Sequence, residues 1–281
     1  MSTTNPAAAL ASGTALVTGA STGIGALYAE RLARRGYDLI LVARNQQKLD
    51  ALAQRLRKET KRSVEVLAAD LTDRKDLARV EVALRSNADI TVLVNNAGIG
   101  SGAPLLNSDV ELMERMIDLN VTALTRLTYA AVPGFVARRR GTIVNIASVV
   151  GIAPELLNGV YGASKAFVLA FSRSLQKELA PSDIRVQAVL PGATATDFWD
   201  VAGLPIAALP KEIQERVMSA ADLVDAALAG LDQGESVTIP ALPEAGDWTA
   251  YESAREKLLP NLSRAKPAAR YAIQSSSVRA A

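Results

Sequence analysis

The 281-residue sequence contains no cysteine and no histidine. Without cysteine there are no disulfides and no thiolate chemistry. Without histidine the metal-binding patterns of zinc dehydrogenases and hydrolases cannot be built, and serine–histidine triads are excluded. Any general acid or base must therefore come from Asp, Glu, Lys or Tyr. Net charge is scarce too: 31 Lys and Arg are interleaved with 29 Asp and Glu, which argues against a nucleic-acid footprint. No run approaches the roughly 20 apolar residues needed to cross a bilayer, and residues 1–13 lack the basic start and apolar core of a secretory signal. The expectation is a cytoplasmic protein with no membrane and no nucleic-acid partner.

What is present is a large apolar share, just under half of the residues, enough for one sizeable core. Short runs rich in β-branched residues fall at 15–18, 39–43, 64–69, 91–94, 142–147 and 186–190, with a weaker seventh at 236–239. Amphipathic segments lie between them, such as 25–35, closed by Gly36, and 46–61. This is the rhythm of repeated βαβ units. It predicts an α/β fold of Rossmann type: a doubly wound, seven-stranded parallel sheet flanked by helices on both faces, with ligands beyond the carboxyl ends of the strands. One catalytic domain is expected, its core at about 13–240, with a loosely held tail at 1–12 and a C-terminal extension at 241–281.

The first functional feature is Thr18-Gly19-Ala20-Ser21-Thr22-Gly23-Ile24-Gly25, directly after the first strand. Its glycines let the chain turn tightly and approach a pyrophosphate, whose charge is met by amides at the following helix N-terminus. An ordinary glycine-rich βα turn is the plainer reading, and the spacing departs from G-x-G-x-x-G. Further on, Tyr161 and Lys165 are four residues apart in a segment that reads as helix over 160–180, so they share a face. A nearby ammonium stabilises a phenolate and brings the phenol toward working pH. Ser148, after a strand ending near the same edge, can hydrogen-bond a carbonyl oxygen as charge builds on it. Singly, a Tyr–Lys pair is a surface pair and a Ser after a strand is a cap. Together, downstream of a nucleotide loop, they favour catalysis.

These motifs, with Asn95-Asn96-Ala97-Gly98 and Pro191-Gly192, resemble the short-chain dehydrogenase/reductase family in its single-domain form, over about residues 13–239. The resemblance implies NAD or NADP across the carboxyl edge of the sheet, with Asn120, Ser148, Tyr161 and Lys165 as the catalytic set. In it Tyr161 donates the proton, Lys165 also holds the nicotinamide ribose, and Asn120 holds a water that relays protons to the lysine. Cofactor contacts are expected from Gly19, Ser21, Thr22, Gly23, Ile24 and Gly25, from Asp70 and Leu71 at the adenine, and from Asn96, Ala97 and Gly98 at the adenosine ribose. Pro191, Gly192, Thr194 and Thr196 are expected near the carboxamide and pyrophosphate. Asn95 is expected to brace the sheet, and Asp70 also reads as a helix N-cap.

Cofactor choice turns on the end of the second strand. An acidic residue there would favour NAD, but Ala43 is neutral and Arg44 is suited to grip a 2′-phosphate, so NADPH is preferred over NAD. Ile152, Pro154, Leu156 and Leu157, with Phe198, Trp199 and Leu204, should wall an apolar site for a ketone or aldehyde, although the second group reads equally as core or lid packing. The apolar residues around Phe167 and Phe171 point to a homo-oligomer, a dimer or tetramer. Two other functions stay open: an alcohol dehydrogenase running the same site oxidatively, and a non-catalytic NADP-binding regulator.

Overall fold

A computed structural model describes residues 13–271. They fall into two compact units divided between Ala241 and Leu242. The first unit is built on β1 (Thr14–Thr18), β2 (Asp38–Ala43), β3 (Val64–Ala68), β4 (Ile90–Asn95), β5 (Gly141–Ile146) and β6 (Ile184–Val189). Two short strands, β7 (Thr194–Ala195) and β8 (Met218–Ser219), pair apart from the main sheet, and β9 (Val237–Thr238) closes it. The main sheet is parallel throughout, in the order β3-β2-β1-β4-β5-β6-β9. The expected seven strands are there, the last reduced to two residues.

The helices are α1 (Gly23–Arg34), α2 (Gln46–Thr60), α3 (Arg74–Ser86), α4 (Val110–Ile117), α5 (Leu124–Ala137), α6 (Gly159–Leu179), α7 (Phe198–Val201), α8 (Lys211–Gln214) and α9 (Ala220–Gln233). Strand side chains alternate between faces, so each strand feeds two cores. Ala15, Val17, Leu39 and Leu41 pack with Tyr28, Leu49 and Leu223 of α1, α2 and α9. Leu16, Ile40 and Val42, one residue out of phase, pack with Leu77, Leu127 and Leu175 of α3, α5 and α6. Strands buried on both faces explain why the sequence runs are continuously apolar rather than alternating. The second unit carries α10 (Ala245–Glu256), on which Trp248 and Tyr251 stack at 5.2 Å.

Because all sheet strands run one way, their carboxyl ends share one edge. The order reverses between β1 and β4, which is where a doubly wound sheet forms its ligand crevice, because the chains after these strands leave in opposite directions. Between α4 and α5 the helix widens into a π-helical segment, Asp118–Ala123. Such a segment is uncommon and concentrates at functional sites. Among the described residues no helix is long and apolar enough to cross a membrane.

Candidate active site

The glycine loop is held by main-chain proximity. Gly19 has φ of +65°, and a Cβ there would lie 2.9 Å from the Cα of Ala97. At Gly25 a Cβ would lie 2.3 Å from the Gly19 carbonyl oxygen, so only glycine fits. The Asn96 amide nitrogen donates to the carbonyls of Thr18 (2.9 Å) and Gly19 (3.3 Å), tying the loop to the chain after β4. Thr18 completes this joint: its hydroxyl accepts from the amides of Asn96 and Ala97, both at 3.0 Å, and donates to Val94. Thr22 is the N-cap of α1 without a side-chain cap bond, and no acidic residue lies in the first turn. That helix terminus keeps its amide donors and its positive end for an anion. The residues present therefore suit the diphosphate of a dinucleotide.

The other positions expected at the nucleotide lie along the same edge. Arg44 follows β2, is exposed, and makes no hydrogen bond or ion pair among the described residues. Asp70 follows β3; its Oδ1 accepts from the Thr72 amide (2.9 Å) and hydroxyl (2.8 Å). The cap of α3 is Asp73, which accepts from the amides of Lys75 and Asp76, so the cap reading of Asp70 is corrected by three residues. Leu71 is buried beside it. Ile24 packs onto the core, while Ser21 and Gly23 stay partly exposed in the loop. Thr196 sits across from Gly23, where a Cβ would lie 3.2 Å from its methyl. Thr194 donates to the Gly192 carbonyl (3.0 Å), and a Cβ on Gly192 would meet no protein atom within 4 Å. Asn95 braces the sheet, donating to Asn145 (2.9 Å) and Thr128 (3.1 Å).

Asn120, Ser148, Tyr161 and Lys165 are all buried, from 2% to 8% exposed. Four polar side chains removed from water at one place need a reason beyond packing, because each costs free energy unless bonded. Lys165 extends from α6 to the end of β5, where its Nζ donates to the Ile146 carbonyl (2.9 Å) and lies 5.8 Å from the Tyr161 ring centre. Ser148 donates to the Pro191 carbonyl at 3.3 Å, a long bond easily exchanged for another acceptor, and its hydroxyl accepts from the Val150 amide at 3.3 Å. Asn120 accepts from the Ile99 amide (3.0 Å) and donates to the Ile99 carbonyl (2.9 Å) and the Ser164 hydroxyl (3.1 Å). Its side chain is thus spent on clamping the chain after β4 to α6, and a water relay at Asn120 has only the main chain to use. Gly98 passes close by: a Cβ there would lie 3.0 Å from Asn120 Oδ1 and 3.5 Å from Lys165 Nζ.

Ionisation departs from the simple expectation of an acidified phenol. Burial pushes Tyr161 up to about 12, with the Ser148 hydrogen bond opposing it, and burial pushes Lys165 down to about 8. Desolvation disfavours whichever form is charged, so the two values move in opposite directions. Lys165 consequently loses its proton before Tyr161 does, and its charge can support a phenolate only below about pH 8. At neutral pH the pair is a protonated phenol beside an ammonium, the state suited to giving a proton away.

Three contributors escaped the sequence reading. Asn158 caps α6, accepting from the amides of Val160 (2.9 Å) and Tyr161 (3.4 Å), and donates to the Ala103 carbonyl (2.7 Å). An Asn at the start of a helical pattern was the available signal. Ser164 and the hydroxyl of Thr18 act through contacts 44 and 76 residues away, which no local pattern announces. Above the site, Phe198 lies 5.6 Å from the Tyr161 ring, whereas Trp199 turns inward and donates to the Thr194 carbonyl (2.8 Å).

Comparison with known proteins agrees with this geometry. A family model for short chain dehydrogenases matches residues 13–203. A solved short-chain dehydrogenase from Sphingobium yanoikuyae, in complex with NADPH, is 53% identical, with 92% of this chain and all of that one covered at a TM-score of 0.88. A bulky-bulky ketone specific alcohol dehydrogenase from Comamonas testosteroni is 48% identical, covering 92% and 98% of the two chains at a TM-score of 0.84. A very-long-chain 3-oxoacyl-CoA reductase of Anas platyrhynchos is 39% identical over 187 residues, 65% of this chain and 60% of that relative, so the match leaves more than a third of that protein's length unaccounted for. With the dinucleotide cradle and the buried Ser–Tyr–Lys cluster in place, the chain belongs to the short-chain dehydrogenase/reductase family of oxidoreductases.

Proposed function

We propose that this protein reduces a hydrophobic ketone or aldehyde to the alcohol, using NADPH in preference to NADH. A nicotinamide dinucleotide, held by the loop from Gly19 to Gly25 and by Arg44, would supply the hydride. Tyr161 gives its hydroxyl proton to the carbonyl oxygen. Lys165, as an ammonium, stabilises the phenolate left behind; a unit charge about 6 Å away is worth about 3 kcal/mol at an effective dielectric constant near 20. Ser148 exchanges its long bond to Pro191 for one to the substrate oxygen, and Asn120 keeps the chain after β4 in register with α6. The observation that carries the reading is the burial of all four side chains at one point of the cleft edge. A regulator that only bound the nucleotide would have no use for a desolvated lysine beside a phenol.

Arg44 supports the cofactor preference, being cationic, exposed and unengaged at the end of β2. The similarity to a bulky-bulky ketone specific alcohol dehydrogenase supports a substrate carbonyl flanked by two bulky groups. Assembly is part of the proposal: Tyr129, Phe171 and Phe167 form a stacked aromatic stripe across α5 and α6, with Tyr129 69% exposed, a face suited to a second copy of the chain. The test is cofactor oxidation with a panel of aryl and alkyl ketones, aldehydes and a 3-oxoacyl thioester, run with NADPH and NADH. Turnover of at least one carbonyl is expected, and Tyr161→Phe should lower kcat about 100- to 10,000-fold while NADPH still binds. Undiminished turnover in that variant would remove Tyr161 from the chemistry.

A further inference from the structure

Gly100 and Gly102, on the chain after β4, lack side chains for a reason different from that of the glycine loop. The three atoms nearest to a Cβ built on Gly100 all belong to the Phe198 ring, the closest at 2.3 Å. The three nearest to one built on Gly102 all belong to Leu204, the closest at 2.0 Å. Neither glycine has positive φ, so neither is needed by its own backbone. The Gly102 amide also donates to the Ala202 carbonyl at 3.2 Å. The segment 198–204 is therefore seated on the chain after β4 by two knobs in two glycine notches and one main-chain bond. Within it, Phe198 is the side chain packed on Tyr161, while Trp199 is tied down beneath by its bond to Thr194.

We infer that Phe198, held in the Gly100 notch, is the specificity-determining side chain of the carbonyl pocket and limits the size of the substituent admitted beside Tyr161. This inference rests on the reductase reading, since it assigns the wall against which the substrate lies. The ring is confined by the Gly100 notch at its tip, by the tilted Tyr161 ring at 5.6 Å and by Trp199 edge-on at 5.9 Å. A side chain fixed in that way sets a boundary, whereas an unseated one would yield to any substrate. Apolar pockets discriminate substituent size by about 10- to 200-fold per group, so loss of the ring should be visible as a ratio.

The experiment is a double-mutant cycle of Phe198→Ala and Gly100→Ala, read in two ways. The first is kcat/KM for acetophenone and for a diaryl ketone with NADPH. Phe198→Ala is expected to raise the diaryl-to-acetophenone ratio about tenfold or more. Gly100→Ala is expected to alter the ratio only while Phe198 is present, because its methyl group meets nothing else so closely. The second is emission from Trp199, measured in a Trp248→Phe background. Gly100→Ala should shift that emission with Phe198 in place and leave it unshifted in the F198A background. A ratio within about twofold of wild type in F198A, or identical effects of Gly100→Ala with and without the ring, overturns the inference. Should the wild type turn over no carbonyl of the panel, the proposed reaction fails; the emission cycle then still decides the seat, and an emission shift that ignores Phe198 overturns it.

Discussion

The two sides of the cleft are held by different kinds of atoms. On the nucleotide side, Gly19 and Gly25 are confined by main-chain atoms of Ala97 and Gly19, and the charged groups, an open helix terminus and Arg44, face solvent. On the chemical side, Lys165, Tyr161, Ser148 and Asn120 are withdrawn from water, with Lys165, Ser148 and Asn120 held by main-chain carbonyls and by Ser164 of α6. A solvent-facing cationic rim attracts and orients an anion. A desolvated cluster has its ionisation set by burial, which turns structure directly into chemistry. Binding and proton transfer should therefore be separable by mutation in this molecule.

The largest separation is expected at the glycines. Gly25→Ala forces a methyl group against the Gly19 carbonyl and should weaken NADPH binding about 100-fold, read by fluorescence titration. Gly192→Ala faces no protein atom, so its melting temperature should match wild type while NADPH affinity falls. Equal melting and equal affinity would mean that the dinucleotide does not pass Gly192.

The chemical side should show its burial as a dependence on pH. The folded value of Lys165, about 8, lies below its ordinary value of 10.5, so between these limits the unfolded chain binds more protons than the folded one. Stability contributed at this site rises with pH across that window. Tyr161 acts oppositely: its folded value of about 12 lies above 10, so the native state holds the extra proton and stability falls from pH 10 upward. Lys165→Met should accordingly be more stable than wild type at pH 7 by roughly 1–2 kcal/mol in urea unfolding, with the gap closing toward pH 10. A gap independent of pH would show that the lysine is not desolvated. The smallest effect is expected at the rim: Arg44→Ala should raise KM for NADPH about fivefold to tenfold and leave NADH unchanged. An equal loss for both cofactors would show that Arg44 does not read the 2′-phosphate.

Much of this site was legible along the chain because its contacts are local or made by backbone. The glycine loop announces itself because each glycine answers a main-chain atom a few residues away or on the neighbouring strand. Tyr161 and Lys165 announce themselves through a helical spacing of four. Asp70 was harder, since Asp70 and Asp73 both suit an N-cap, and only the observed turn shows that Asp73 takes it. The acidity of Tyr161 was misjudged for a related reason. Spacing shows that an ammonium is near, but the magnitude of burial belongs to the packed core, and here burial sets the direction against the opposing Ser148 hydroxyl.

The sequence alone determined the parallel sheet, the glycine loop and the side chains proposed to react, because these follow from periodicity, glycine and chemistry at short range. Tertiary structure decided the ionisation of Lys165 and Tyr161, the clamp made by Asn120 with Ser164, and the seat of Phe198 on Gly100. Each of these depends on atoms brought together from distant parts of the chain and on how completely water is removed around them.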